Sequence, residues 1–531
     1  MGGTMPGRME FEFQFSQAQA RPAAASRDKW PMRILIMGDF GGRGHRGRPD
    51  DAAPLGDRPI MRVDVDNFQD VMYRVAPQLH LRLGGASGPD MTVQFRQLDD
   101  FHPDQLYGKL EVFLALRQLR TRLLDPATFA EAAEELKRPA GTQTASTQPS
   151  AGSGGSEAEA AADGVESEFE RLLGGKPVAS QARPGTSAHP AAQPAGAQGD
   201  VMRFIRHIVA PHVLPETDPQ QRQFVASIDV MTAELMCDVL HDPAFQALES
   251  AWRAVHWLIS RLETGQELGI YLLDATRDEL AADISAVGSD LEASKAHQLL
   301  GEQSVQTPGG QPWSLLVGNF TFGTQRHDVA LLAALGAIAS QAGGPFLAKA
   351  EPGVLGCRSL VETPDPHDWR LDDPATEKRW QALRTSSGAS WIGLALPRVM
   401  LRLPYGRQTD PIERFEFEEL SHRREHEAYL WGNPAFACAM LIAMSFQEQG
   451  WSMRLGDHLV IDDLPVHTYK NNADESTMKP CAEVCLSESG AEAILKRGVM
   501  PVMSYRNRNA VRVMRFQSVA DPPAPLAGPW G

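Results

Sequence analysis

Cysteine is scarce in this chain: five among 531 residues, an odd and scattered set. That excludes a disulfide framework and points to reduced thiols. Cys481 and Cys485 make a C-x-x-x-C pair, yet no second Cys/His pair stands at ligand spacing and only His467 is near, so no metal is expected there. Long apolar runs are missing as well. None approaches the ~18 residues that a membrane span needs, and the opening MGGTMPGRMEFEFQF has no secretory apolar core. The expected location is cytoplasmic, without direct membrane insertion. An excess of basic residues is also lacking. Lys and Arg number 51 against 67 Asp and Glu, a net charge of −16, which argues against nucleic acid as the main partner.

The motifs of catalysis and cofactor binding are equally thin. GDFGGRG at 38–44 follows an apolar run, but it matches neither the P-loop nor the dinucleotide pattern and reads as a tight strand-exit turn. HDPAF at 241–245 reads as a helix start, with Asp242 as cap and Pro243 in the first turn. Glu249 and Arg253 stand one turn apart and can pair, and His256 lies between Trp252 and Trp257 as a packing residue. The densest group of acids and histidines, Glu418 to Glu427, contains HRREH, which is not H-E-x-x-H. It reads as an ion-pair-rich connection. With no nucleophile elbow and no Cys/His/Asn signature, the chain offers no catalytic residues, metal ligands or cofactor site.

What is present divides into three stretches. Residues 1–137 begin with MEFEFQF, where Phe11, Phe13 and Phe15 alternate with polar residues as the apolar face of a strand. A Pro/Ala/Ser tether follows. RILIMGDF then reads as a buried strand, Ile60 to Val65 and Leu79 to Leu83 as further strands around a helix capped by Asp66 or Asn67, and TVQFRQL as another strand. Pro103 opens one long helix with Leu106, Leu110, Phe113, Leu114, Leu116 and Leu119 on one side. Residues 138–200 are Ala, Gly, Ser, Pro, Gln and Thr, too poor in large apolar groups to offset chain entropy, and read as a flexible linker. VESEFERLLGG interrupts it with Val165, Phe169, Leu172 and Leu173 on one helical face, a short amphipathic helix over 165–175. Residues 201–531 alternate helical and strand patterns, closing on AEVCLS, VMPVMSYR and AVRVMRFQS as strands. The whole is expected to be α+β (mixed α/β), with mixed sheets flanked by helices.

Several of these stretches resemble known proteins. RILIMGDFGG, PLGDRPIMRVDVDNFQDVMYRVAPQLHLRL and VQFRQLDDFHPDQL resemble the small sheath subunit of type VI secretion systems, the TssB or VipA family. HDPAFQALESAWRAVHWLI, LGIYLLDATRDEL, PWSLLVGNFTF, GLALPRVMLRLPYG, FEFEE, YLWGNPAFACAMLIAMSF and GVMPVMSYRNRNAVRVMRFQS resemble the large subunit, the TssC or VipB family. The family uses two chains; here both parts lie in one, and the linker stands where the large subunit carries an N-terminal extension.

The resemblance implies a contractile sheath subunit and not an enzyme. Such a subunit forms a helical polymer around an inner tube of Hcp-like protein. The polymer is anchored to baseplate components and driven by a difference between two packings of the same protomers. It also implies strand exchange between protomers, for which Phe11, Phe13 and Phe15 are the candidate arm. A ClpV-type AAA+ unfoldase would read the helix around Val165, Phe169, Leu172 and Leu173. Leu106, Leu110, Phe113 and Leu114 are the candidate seam between the small and large parts. Three other readings stay open on the residues: the sheath of another contractile particle, a binding module that caps a sheath, and a cytosolic α/β enzyme using Glu418 to His426.

Overall fold

The computed structural model describes residues 30–45, 54–83, 90–137, 221–288, 290–302, 311–371, 373–420, 426–470 and 474–530. In chain order the elements are β1 (Met32–Gly38), β2 (Met61–Val63), α1 (Phe68–Val75), β3 (Gln78–Arg82), β4 (Asp90–Gln94), α2 (Pro103–Lys109), α3 (Glu111–Leu124), α4 (Phe129–Lys137), α5 (Gln221–Leu240), α6 (Pro243–Arg261), β5 (Leu268–Asp274) and α7 (Arg277–Ala286). There follow β6 (Leu315–Phe322), α8 (Arg326–Ala342), β7 (Phe346–Ala350), α9 (Pro374–Arg384), β8 (Ile392–Leu396), β9 (Val399–Met400), β10 (Trp431–Gly432), α10 (Pro434–Gln449), β11 (Val460–Ile461), β12 (His467–Lys470), β13 (Ser476–Lys479), α11 (Glu488–Lys496), β14 (Val499–Ser504) and β15 (Val511–Val513).

Nine of these strands form one sheet in the order β11-β15-β14-β8-β7-β6-β1-β5-β2. From β5 through β14 the neighbours run parallel, while β2, β15 and β11 add antiparallel edges. A parallel sheet is covered on both faces, so its strands read as continuous apolar runs. RILIMG is such a run, and β1 lies between β5 and β6, with Met32 opposite Leu268 and Ile34 opposite Leu315. Its side chains alternate between two cores. Ile34 and Ile36 enter the one packed by α5, α6 and α10; Leu35 and Met37 enter the one packed by α7, α8, α9 and α11.

The helix expected to run on from Pro103 is two helices. Leu110, extended at φ −77° and ψ 131°, closes α2 through its N–H to Leu106 O and opens α3. Gly108 weakens the α2 end, and a Cβ there would overlap the Arg414 guanidinium. Asn67, of the two expected caps, begins α1. AEVCLS is not a strand: Ala482 alone bridges Val399, because Glu483 turns inward to meet Arg398. Elsewhere the helix starts follow the residues that dictate them. Asp242 accepts from Ala244 N and Phe245 N with Pro243 at the first position of α6, and Asn433 accepts from Ala435 N with Pro434 at the first position of α10.

Candidate assembly elements and the seam between the two parts

Of the predicted site residues, Phe11, Phe13 and Phe15 and the helix with Val165, Phe169, Leu172 and Leu173 lie outside the described residues. Leu106, Leu110 and Phe113 are buried in a core that also holds Phe224, Ile228, Met231 and Leu235 of α5; Leu114 is half-buried. Around them Phe129 meets Phe224 edge-on at 6.0 Å. Arg120 Nε donates to Asp229 Oδ1 at 2.6 Å, and Gln221 Nε2 donates to the Leu123 and Leu124 carbonyls at 2.7 Å.

A second seam was not anticipated. The turn after β1, Gly38 to Gly44, is held by the end of β5. Asp274 Oδ1 accepts from Phe40 N at 2.9 Å and Gly41 N at 3.0 Å, and Arg43 grips its other oxygen. A Cβ on Gly41 would stand 2.9 Å from that carboxylate, and Gly42 has φ +71°, so the glycines serve this close approach. Burial pushes the Asp274 carboxyl up, against Arg43. Beside it, Arg58 holds Glu279 with both nitrogens, at 2.6 and 2.7 Å. Burial opposes the Glu279 charge, yet Arg58, Thr276 N and Arg43 bring the carboxyl down to about 2. Trp252 Nε1 donates to Phe40 O at 3.0 Å, and Asp104 accepts from Glu413 N and Arg414 N at 3.1 and 3.0 Å. One signal for this seam was available: a doubly buried strand needs two parallel neighbours, and the first stretch alone offers no βαβ partner for RILIMG.

Residues 421–425 of the acid-rich stretch lie outside the described residues, and its buried acid, Glu419, is spent internally. Arg402 joins Glu249 (Nε to Oε1, 2.9 Å) and Glu419 (2.8 and 3.1 Å), and all three are buried. Arg253 adds a bond of 2.7 Å to Glu249, and Tyr405 N one of 2.8 Å to Glu419. Desolvation opposes the Glu419 charge, but Arg402 and His241 hold the carboxyl at about 2. The two buried carboxylates thus face two guanidiniums. His256 meets the Phe68 ring at 5.3 Å and is packing.

A further polar cluster lies where β8 ends. Arg398 bonds Glu427 at 2.7 and 2.9 Å and Glu483 at 2.6 Å. His426 Nε2 is 3.2 Å from Glu483, and Lys479 Nζ is 2.8 Å from His426 Nδ1. Ligand atoms of His426, Glu427 and Glu483 come within 4.8 Å of one another. Arg398 and Lys479 already supply the positive charge that a metal would bring, and they occupy the lone pairs that it would need. Lys479 belongs to β13, which with β12 forms a separate antiparallel sheet of two strands. A lone two-stranded sheet is marginal in water, and no strand among the described residues pairs with the outer side of β13.

With these elements in place, comparison with known proteins gives three matches. Residues 222–520 match the family described as EvpB/VC_A0108, tail sheath N-terminal domain (VipB). Residues 12–139 match the family described as type VI secretion system, VipA, VC_A0107 or Hcp2. The chain belongs to the type VI secretion tail sheath family. It is also similar to the type VI secretion system sheath protein TssC1 of Pseudomonas aeruginosa, at 31% identity over 329 residues, 59% of this chain and 66% of that relative. The tail sheath family is one of structural proteins and not of enzymes. Its two subunit types meet here in one polypeptide, and the sheet runs across both matches: β1 and β2 lie in the VipA-matched residues, β5 to β8, β11, β14 and β15 in the VipB-matched residues. No helix among the described residues is long and apolar enough to cross a membrane.

Proposed function

We propose that this chain is a joined protomer of a type VI contractile sheath, with a small-subunit part at 1–137, a linker at 138–200 and a large-subunit part at 201–531. It polymerises around an inner tube in the cytoplasm and contracts to propel the tube, without catalysis or cofactor. The observation that carries this reading is β1. The small part contributes an interior strand to the large part's sheet, which supports the reading of one chain as a joined two-part protomer. Leu106, Leu110, Phe113 and Leu114 serve as the helical half of the same seam.

Assembly then needs contacts between protomers. The Phe11, Phe13 and Phe15 strand is the donor, and an open sheet edge such as the outer side of β13 suits as acceptor, because main-chain bonding supplies affinity and alternate pockets supply specificity. The Hcp-like tube, the baseplate and a ClpV-type unfoldase are the further partners. The last would read Val165, Phe169, Leu172 and Leu173 as an amphipathic helix in a groove.

Negative-stain images of the purified full chain, with and without inner-tube protein, test the reading. Filaments of sheath width are expected, and deletion of residues 1–18 should abolish them. A discrete small oligomer under all conditions would overturn it. Phe169→Ala with Leu172→Ala should lose capture of the ATPase while leaving filaments intact.

A further inference from the structure

The last strands of the sheet carry four arginines and no acid. Residues 499–520 contain Arg506, Arg508, Arg512 and Arg515 and no Lys, Asp or Glu, in a chain where 67 acidic residues outnumber 51 Lys and Arg. All four arginines are exposed. Arg512 of β15 stands opposite Met503 of β14 on one side and Val460 of β11 on the other, and cross-strand partners share a face. The opposite face of these strands closes a core through Val502, Val511, Val513 and Ile461. Met503 and Val460 are half-buried and belong to neither core. An antiparallel edge can leave one face uncovered in this way. Arg508 pairs with Asp462 at 2.5 Å and lies over the Tyr505 ring, 5.7 Å from its centroid. Arg515 donates to the Gln517 amide oxygen at 2.8 Å. Among the described residues, Arg506, Arg512 and Arg515 form no ion pair with a carboxylate.

We propose that this arginine face is a docking surface for an acidic surface on a second copy of the chain. Its composition is that of an interface: Arg, Met and Tyr are enriched where proteins meet, and Lys, which is depleted there, is missing from the stretch. A guanidinium is more weakly hydrated than an ammonium and grips a carboxylate with two parallel bonds. The charge of the chain selects the partner. A nucleic acid would be repelled by a body of net charge −16, whereas another copy of that body supplies the carboxylates that the arginines fit. A basic face on one copy meeting an acidic face on the next is a heterologous contact, and heterologous contacts extend into rings or open filaments. The inference rests on the reading of the chain as a polymerising protomer. It gives the polymer a contact made by side chains, separate from strand exchange.

Sedimentation of the full chain tests the surface. Native assembly should weaken as salt rises from about 50 to about 500 mM, because exposed charges are screened over that range. Arg506→Glu combined with Arg512→Glu and Arg515→Glu should raise the concentration needed for assembly about tenfold or more, since like charges then face each other. The same three changes to Gln keep polar side chains at these positions and should give a smaller rise and a flat salt dependence. Circular dichroism melts identify which variants are folded. The Glu variant retains its acidic surface, so one copy of it among ten native copies should cap growing ends and lower the assembled mass by well more than its share. Assembly of either folded variant at the native concentration would overturn the proposal. So would a loss confined to mixtures with inner-tube protein, or a native chain that stays monomeric at low salt. Small native oligomers that the variants lose would support the contact and count against the sheath reading alone.

Discussion

Strand β1 and the β12–β13 hairpin are made of similar lengths of extended chain and are used in opposite ways. β1 is bonded along both edges and buried on both faces, and it joins residues more than 200 positions apart in sequence. The hairpin is bonded internally and rests on the body by side chains, its residues alternating between half-buried and exposed in β12. An element saturated on every side can only maintain the fold. The outer side of β13 pairs with no strand among the described residues, and an element with such a side can change partners without unfolding anything else. A protomer that must hold together through a change of packing needs both kinds, kept apart in the structure.

Substitutions that introduce proline separate the two most sharply. Ile36→Pro removes a ladder donor from the middle of the sheet and disrupts both flanking pairs. It should abolish cooperative thermal unfolding by circular dichroism. Thr477→Pro, in β13, should leave the melting transition close to that of the native chain. If both melt alike, the hairpin is part of the cooperative core and the contrast is false.

Next in size is the buried ion cluster. Arg402→Met strips Glu419 of its guanidinium and leaves Glu249 with Arg253 alone. Breaking a buried pair in this way costs about 3–5 kcal/mol, to be read from urea denaturation. A loss below about 1 kcal/mol, the scale of an exposed pair, would mean that water reaches the cluster.

The helical seam gives a finer comparison. Phe113 is fully buried and Leu114 half-buried. Phe113→Ala should cost about 3–5 kcal/mol, with Leu114→Ala well below it. Equal costs would show that the seam face had been misassigned.

The sequence made some of this legible. RILIMG could be read as a buried strand because a doubly covered strand needs no alternation. Which strands flank it could not be read, because β5 and β6 lie beyond the intervening stretch and periodicity carries no long-range pairing. The caps at Asp242 and Asn433 were local and readable, Asn433 through its Pro and the apolar run after it. The break at Leu110 was not, since Leu106 to Leu119 keep a helical pattern through it, and the Arg414 side chain that lies over Gly108 comes from far along the chain. Glu249 was readable as the partner of Arg253 one turn away. Its stronger commitment to Arg402, 153 positions on, was invisible.

The smallest expected effect concerns acid. Glu279 ties the second part of the chain to Arg58 of the first, and its carboxyl is brought from 4.5 down to about 2. A group lowered on folding contributes fully above its ordinary value, and that contribution fades as pH falls toward the folded value. Glu279→Gln keeps the shape but loses the charge. It should be less stable than the native chain at pH 7, and its stability should fall less steeply between pH 5 and 3, so that the two curves converge toward acid. Asp274, a neighbour at the same seam, runs the other way, because burial raises its carboxyl and its contribution grows as pH drops. Urea midpoints at pH 7, 5, 4 and 3 decide the matter. Parallel curves would place the acid sensitivity outside this seam, in the buried cluster around Glu419 and in Glu483, and would make β1 itself, not its ion pairs, what joins the two parts.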